Sequence, residues 1–271
     1  MALWHGLLLM ILRAVTTSCA ENLQRFAQRK ENPKRWLNAF GVALGVLGAP
    51  LDAVAYTVAP QSLLAPVGMV GMLFSLLAAQ HVHGDDLTLR DVLSALAVLF
   101  GAGCCIHSGS SETQTPSWEM YAVYASCVLF VCTFLGLSLF LRESTQAADV
   151  LASALLGGSL ASSSVVCSKT LMATLTDAGA ALSQMLQAAL PLGLVAPAHL
   201  YVLNRSYGRH SLVIMSPSMG ASALLCNVLT GYLLYGEVPL AAIEFSIGIS
   251  LICLGILSLM AFRSKKVVAV Q

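Results

Sequence analysis

Three ionisable residues sit in sequence that is otherwise apolar: Arg13 and Glu21 in the first long hydrophobic run, and Asp52 in the second. A charge held away from water is costly unless it is paired or lines a polar route, so each is a candidate for function. Asp52 stands six residues before the end of its run, about 9 Å below that end at about 1.5 Å per residue. A carboxylate at that depth can draw in a cation. A small, hard divalent cation needs only one or two carboxylates, keeps several waters and completes its shell with neutral oxygens. Asn22, Tyr56, Thr57 and Asn227 can supply those oxygens. A structural reading competes. Arg13, about 14 Å from the outer end of its run, has a side chain long enough to reach Asp52 and form a buried ion pair. A fixed positive charge in the route would also suit an anionic metabolite. Glu21 has Arg25 four residues on, on the same helical face, which favours an ordinary salt bridge over a ligand role. Glu244, near Ser246 and Ser250, faces either a polar cavity or the headgroup layer. The turn from His81 to Asp86 holds two imidazoles and two carboxylates. That is enough for a transition metal, but no rigid element fixes the ligands, and a solvated turn is preferred.

The elements that carry these residues follow from composition. Of 271 residues, 57% are hydrophobic and 10% charged, and the mean hydropathy is +0.80. That excludes a water-soluble globular enzyme and implies a polytopic, all-α membrane protein whose main partner is the lipid bilayer. Nine apolar runs are long enough to be spans: about 4–23, 37–58, 62–81, 91–107, 118–141, 149–170, 179–203, 211–235 and 239–262. The first also resembles a secretory signal, but it lacks the usual basic start. The net charge of +1 and the absence of a basic, aromatic-rich cluster give no support for nucleic-acid binding. The eight cysteines form no CxxC pair and read as small buried hydrophobes. There is no Walker loop, no dinucleotide fingerprint and no convincing nucleophile and base, so neither an enzyme nor a cofactor is expected.

Lys and Arg sort onto alternate loops. Arg25, Arg29, Lys30, Lys34, Arg35, Arg90, Arg142, Arg205, Arg209, Arg263, Lys265 and Lys266 fall on one side, with Lys169 at the end of the sixth run as the exception. The positive-inside rule then places the amino terminus outside and the carboxyl terminus in the cytoplasm, with an outer face made acidic by Glu112, Glu119, Asp177 and Glu237. The sequon Asn204-Arg205-Ser206 falls on the cytoplasmic side and should stay unmodified.

The third and fourth runs resemble the eighth and ninth. SLLAPVGM heads one pair and VIMSPSMG the other, Gly84-Asp85 answers Gly236-Glu237, and Gly103 answers Gly255. A weaker match sets TTSCAENLQR in the first run beside ASSSVVCSK in the sixth, aligning Arg25 with Lys169. Repeats offset by five spans face opposite ways across the membrane, which is the inverted-repeat plan of many secondary transporters. The halves are 1–141 and 149–262, within a single polytopic domain ending in a short cytoplasmic tail, 263–271. Gly41 and Gly45 form a GxxxG pair for close helix packing, Gly158, Ala161, Ser162 and Ser163 give a small-residue flank, and Pro50, Pro66, Pro191, Pro197 and Pro217 favour kinks.

The run AYTVAPQSLLAPVGM (Ala55 to Met69) resembles the signature of the NIPA family of magnesium transporters, a branch of the drug/metabolite transporter superfamily, and LNRSYGRHSLVIMSP (Leu203 to Pro217) resembles a later segment of it. The resemblance implies nine spans, a place in plasma or endosomal membranes, and movement of magnesium. Many relatives carry an acidic residue about two turns before the Ala-Tyr pair. Here Ala49 stands at that position, and Asp52 stands where the family usually has Asn. The expectation is therefore a magnesium or divalent-cation transporter working by alternating access, with Asp52 as the metal ligand in a cavity lined by the first three and the sixth to eighth runs. Two alternatives stay open: a carrier of an organic anion or nucleotide-linked metabolite using Arg13 and Lys169, and a scaffold that transports nothing. Self-association of the chain also stays open.

Overall fold

The computed structural model describes residues 2–27, 35–78, 82, 88–109, 116–141, 146–177, 182–210 and 212–268. Within them lie ten helices: α1 (Ala2–Ala27), α2 (Arg35–Val58), α3 (Gln61–Gly68), α4 (Val70–Ala78), α5 (Leu89–Ser108), α6 (Trp118–Leu141), α7 (Gln146–Thr176), α8 (Leu182–Arg209), α9 (Leu212–Tyr235) and α10 (Ala242–Val268). The third expected span is thus two helices. Pro66 has no N–H to give, and the Met69 N–H closes on the Pro66 carbonyl, three residues back, at 3.1 Å, so the backbone tightens and restarts at Val70. By contrast Pro50 in α2, Pro191 and Pro197 in α8 and Pro217 in α9 lie inside unbroken helices. Several helices outrun their apolar segments, because hydrogen bonding carries a helix on into polar sequence beyond the lipid. Thr88 and Asp91 start α5 with a reciprocal capping box.

Residues 4–27, 35–58, 89–108, 148–176, 182–209 and 215–235 form helices long and apolar enough to cross a bilayer, and 61–75 and 242–258 form shorter apolar ones. The remaining expected span is helical as α6. The surface is apolar, unlike that of a water-soluble fold, and polar side chains lie inside among the apolar ones. Trp36, Phe40 and Leu47 on α2, Leu93, Leu96 and Phe100 on α5, and Leu186, Leu190 and Leu194 on α8 are exposed, whereas Ser18, Asn22, Gln61, Ser162, Ser163 and Asn227 are buried. Lipid demands this arrangement, so the chain is a multi-pass membrane protein.

Helix contacts repeat between the halves. α1 packs on α2 and α4 as α7 packs on α8 and α9, and α3 meets α5 as α9 meets α10. The halves join through α5 with α10, α3 with α9 and α2 with α7. Small residues make the closest approaches. A Cβ on Gly41 would lie 3.1 Å from the Ala20 carbonyl, whereas one on Gly45 would find its nearest neighbour at 3.8 Å, so only the first glycine of that pair is required for close packing. Gly158 rests on Ser222 and Ala223 of α9. The repeat-related pair diverges: Gly255 abuts the Ser94 carbonyl, while Gly103 has open space beside it. Backbone meets backbone where α5 crosses α10: a Cβ on Gly248 would stand 2.7 Å from the Gly101 carbonyl and 3.0 Å from the Cys105 nitrogen. Backbone cannot yield as a flexible side chain can. Gly248→Ala is therefore expected to destabilise the bundle by about 1–3 kcal/mol, read as a lowered Tm in detergent.

Two expectations need correction. Cys19 and Cys127 are exposed rather than buried, because lipid tolerates a thiol on a helix surface as readily as a core does; all the described cysteines are free. Glu237 is not part of an exposed acidic face but is 1% exposed, for reasons given below. The sequon falls within a helix, where Ser206 is buried in α8 and its hydroxyl donates to the Val202 carbonyl. Residues 29, 30, 34, 112 and 142 lie outside the described residues, as does the 81–86 turn apart from Val82.

Candidate functional site

A cavity of about 280 Å³ opens between the two halves, lined by α1, α2, α3, α4, α7, α8 and α9. These are the runs that the sequence assigned to it. Its polar lining forms two groups along α1, centred on Arg13 and on Glu21, eight residues further on and about 12 Å away at about 1.5 Å per residue.

In the first group, Arg13 Nε donates to Asp52 Oδ2 at 2.8 Å, and the side chains are 28% and 14% exposed. The pair ties α1 to α2. Among the described residues, Asp52 Oδ1 is buried with no hydrogen-bond partner and Arg13 uses only Nε in a hydrogen bond. Tyr56, one turn beyond Asp52, and His199 of α8 line the same space. His199 stands close enough to Arg13 to feel its charge.

Glu21 forms the second group. The structure does not pair it with Arg25: Ser75 Oγ of α4 lies 3.0 Å from Glu21 Oε2, and Ser216 Oγ of α9 donates to the same oxygen at 3.1 Å. Arg25 Nη1 instead donates to the Tyr207 carbonyl at 2.7 Å. One turn of helix separates Glu21 from Arg25, but packing of α8 across the end of α1 offers the guanidinium a carbonyl in the last turn of α8, where the helix dipole favours a cation.

A third polar layer closes one end of the cavity and was not expected. The Glu237 carboxylate accepts from the backbone N–H of Gln61 (2.9 Å) and of Ser62 (2.7 Å), and from Lys169 Nζ at 3.1 Å. It thereby caps α3, whose first N–H groups have no partner within the helix. Lys169 Nζ also lies 3.8 Å from the centre of the Tyr235 ring. Gln61 Nε2 donates to Asn227 Oδ1 and Thr230 Oγ1, both at 2.8 Å. Asn227 faces the cavity, so the layer is its ceiling. The Gly236-Glu237 step was visible as a mark of the repeat; the missed signal was the Pro60-Gln61-Ser62 start of α3, which needs an acceptor.

Other expected site residues lie elsewhere. Thr57 is exposed and its hydroxyl bonds the Val54 carbonyl. Asn22 is buried, donates to the Ser18 carbonyl and does not line the cavity. Glu244 meets His107 at 3.1 Å on an exposed groove between α5 and α10, while Ser246 and Ser250 bond their own helix. Short hydroxyl side chains satisfy themselves on the preceding turn when no stronger partner comes near. Among the described residues, no group of three or more His, Cys, Asp or Glu is placed to hold a metal ion. A cation in this cavity would therefore meet single carboxylates and neutral oxygens.

No curated protein and no solved structure matches the chain. The family model described as magnesium transporter NIPA matches residues 30–264, from just after α1 into α10. With a match over that much of its length, the chain belongs to the NIPA family of magnesium transporters.

Proposed function

We propose that this chain, as one polytopic domain, carries magnesium across a plasma or endosomal membrane by alternating access, with its amino terminus outside and its carboxyl terminus in the cytoplasm. The observation that carries the reading is a cavity between two repeat-related halves, in a member of a magnesium transporter family, with the unpartnered Oδ1 of Asp52 in its wall. Arg13 acts as an internal stand-in for the cation. In the empty carrier its guanidinium neutralises Asp52, so that a bare carboxylate is never left in a dry site. An arriving hydrated Mg²⁺ takes the carboxylate over, with Tyr56 and Asn227 among the neutral oxygens nearby, and the displaced guanidinium swings into the cavity. Rocking of the halves then exposes the ion on the other side.

The test is flux into proteoliposomes of purified protein with a magnesium-sensitive dye inside. Saturable flux is expected. No flux from folded protein would overturn the reading. Arg13 favours one second reading, an organic-anion carrier, because its guanidinium lines the cavity with the imidazole of His199 beside it. Lys169, its other expected charge partner, is engaged by Glu237. Arg13→Gln separates the two: it should abolish organic-anion uptake if the carrier reading holds, and leave or raise magnesium flux if it does not.

A further inference from the structure

We infer that Glu21, Ser75, Ser216 and Tyr207 form a second subsite of the cavity, which takes a hydrated divalent cation before the ion reaches Asp52. The inference rests on the cation-transport reading above and assigns it a further site. Both serine hydroxyls bind the same oxygen of Glu21, Oε2. Because they come from α4 and α9, one in each half, they clamp the carboxylate in one orientation and leave Oε1 without a hydrogen bond among the described residues. The Tyr207 hydroxyl is a second sign of a missing ligand: the residue is 0% exposed, lines the cavity, and its oxygen, set beside the Glu21 carboxylate, makes no hydrogen bond of good geometry among the described residues. A buried phenol oxygen with no donor turned to it, next to a half-used carboxylate, calls for something that supplies both donors and positive charge. Water bound to Mg²⁺ does this: its protons serve Oε1 and the phenol oxygen while the ion balances the carboxylate.

Size agrees. A magnesium ion with six waters occupies roughly 180 Å³ at roughly 30 Å³ per water, and the cavity holds about 280 Å³. Charge agrees as well. Arg25, the nearest basic residue in sequence, is turned to the Tyr207 carbonyl at the dipole-negative end of α8, and Arg13 is held by Asp52. Glu21 is thus the carboxylate of the cavity with no basic partner among the described ion pairs. An ion captured there passes along α1 to displace Arg13.

The experiment is equilibrium dialysis of Mg²⁺ against the full chain in lipid nanodiscs, run beside the flux assay. Glu21→Gln keeps the two serine contacts and removes the charge, so Mg²⁺ binding should weaken at least tenfold with Tm unchanged; Asp52→Asn should retain binding at Glu21. Binding by Glu21→Gln equal to wild type overturns the subsite even where wild-type flux is normal. Absent wild-type flux with Glu21-dependent binding overturns the transport reading and keeps the subsite. Should Glu21→Gln fail to fold, Tyr207→Phe decides: a severalfold weaker binding supports the subsite, and unchanged binding refutes it.

Discussion

Asp52→Asn is expected to abolish magnesium flux and to lower the Tm together. The amide keeps the shape of the side chain but removes the charge that faces Arg13 at 2.8 Å. Breaking a buried pair from one side leaves the other charge uncompensated, at a cost of about 3–5 kcal/mol. The lower end of that range applies here, because Arg13 is 28% exposed and looks into the cavity. The double variant Arg13→Gln with Asp52→Asn separates structure from transport. With no orphaned charge it should recover most of the lost Tm, yet it should remain silent in the flux assay because no carboxylate receives the ion. Arg13→Gln alone should bind magnesium more tightly, its internal competitor having gone, with magnesium flux kept or raised. Full flux in Asp52→Asn would remove that residue from the mechanism.

Glu237→Gln has the second large effect, on the ceiling of the cavity. The carboxylate serves three donors, two backbone N–H groups and Lys169 Nζ. A glutamine has one acceptor oxygen, and its NH2 group would confront a donor. At least one buried N–H loses its partner and the 12% exposed Lys169 side chain loses its counter-charge, so a loss of about 3–5 kcal/mol follows. Thermal unfolding in detergent should show it as a large fall in Tm, and Lys169→Met added to Glu237→Gln should recover part. Since the layer links the α7 and α9 half to α3, the single variant should also let magnesium leak from loaded proteoliposomes faster than wild type does. Unchanged leakage would show that the layer holds the fold without sealing the path.

Much of the architecture was legible because lipid imposes a one-dimensional rule. Apolar runs mark spans whatever their neighbours do, and the repeat of SLLAPVGM in VIMSPSMG pointed to α3 and α9, which meet between the halves. The reach of Arg13 to Asp52 could be weighed from depth alone. Glu21 could not, since local spacing proposed Arg25 while the partners it meets, Ser75 and Ser216, are 54 and 195 residues away. Glu237 was hidden for a related reason. A glutamate after a glycine at a helix end looks like solvent-facing loop, and only the return of α3 beneath it supplies the two N–H groups that bury it. The Gly101 and Gly248 seam was missed because each stands alone, without a GxxxG partner; contact across the halves, not spacing along one helix, makes them necessary.

The outward leucines of α2, α5 and α8 carry a thermodynamic signature. In water, pulling a fold apart wets its apolar core, which gives unfolding a large positive heat-capacity change and a stability curve that bends with temperature. Here the apolar surface touches acyl chains before and after the helices part, and the buried side chains that separation uncovers, apolar and polar alike, meet lipid rather than water. Helix separation within the bilayer should therefore proceed with little change in heat capacity and a nearly straight dependence of stability on temperature, so that chilling leaves the bundle without the weakening it brings to a water-soluble core.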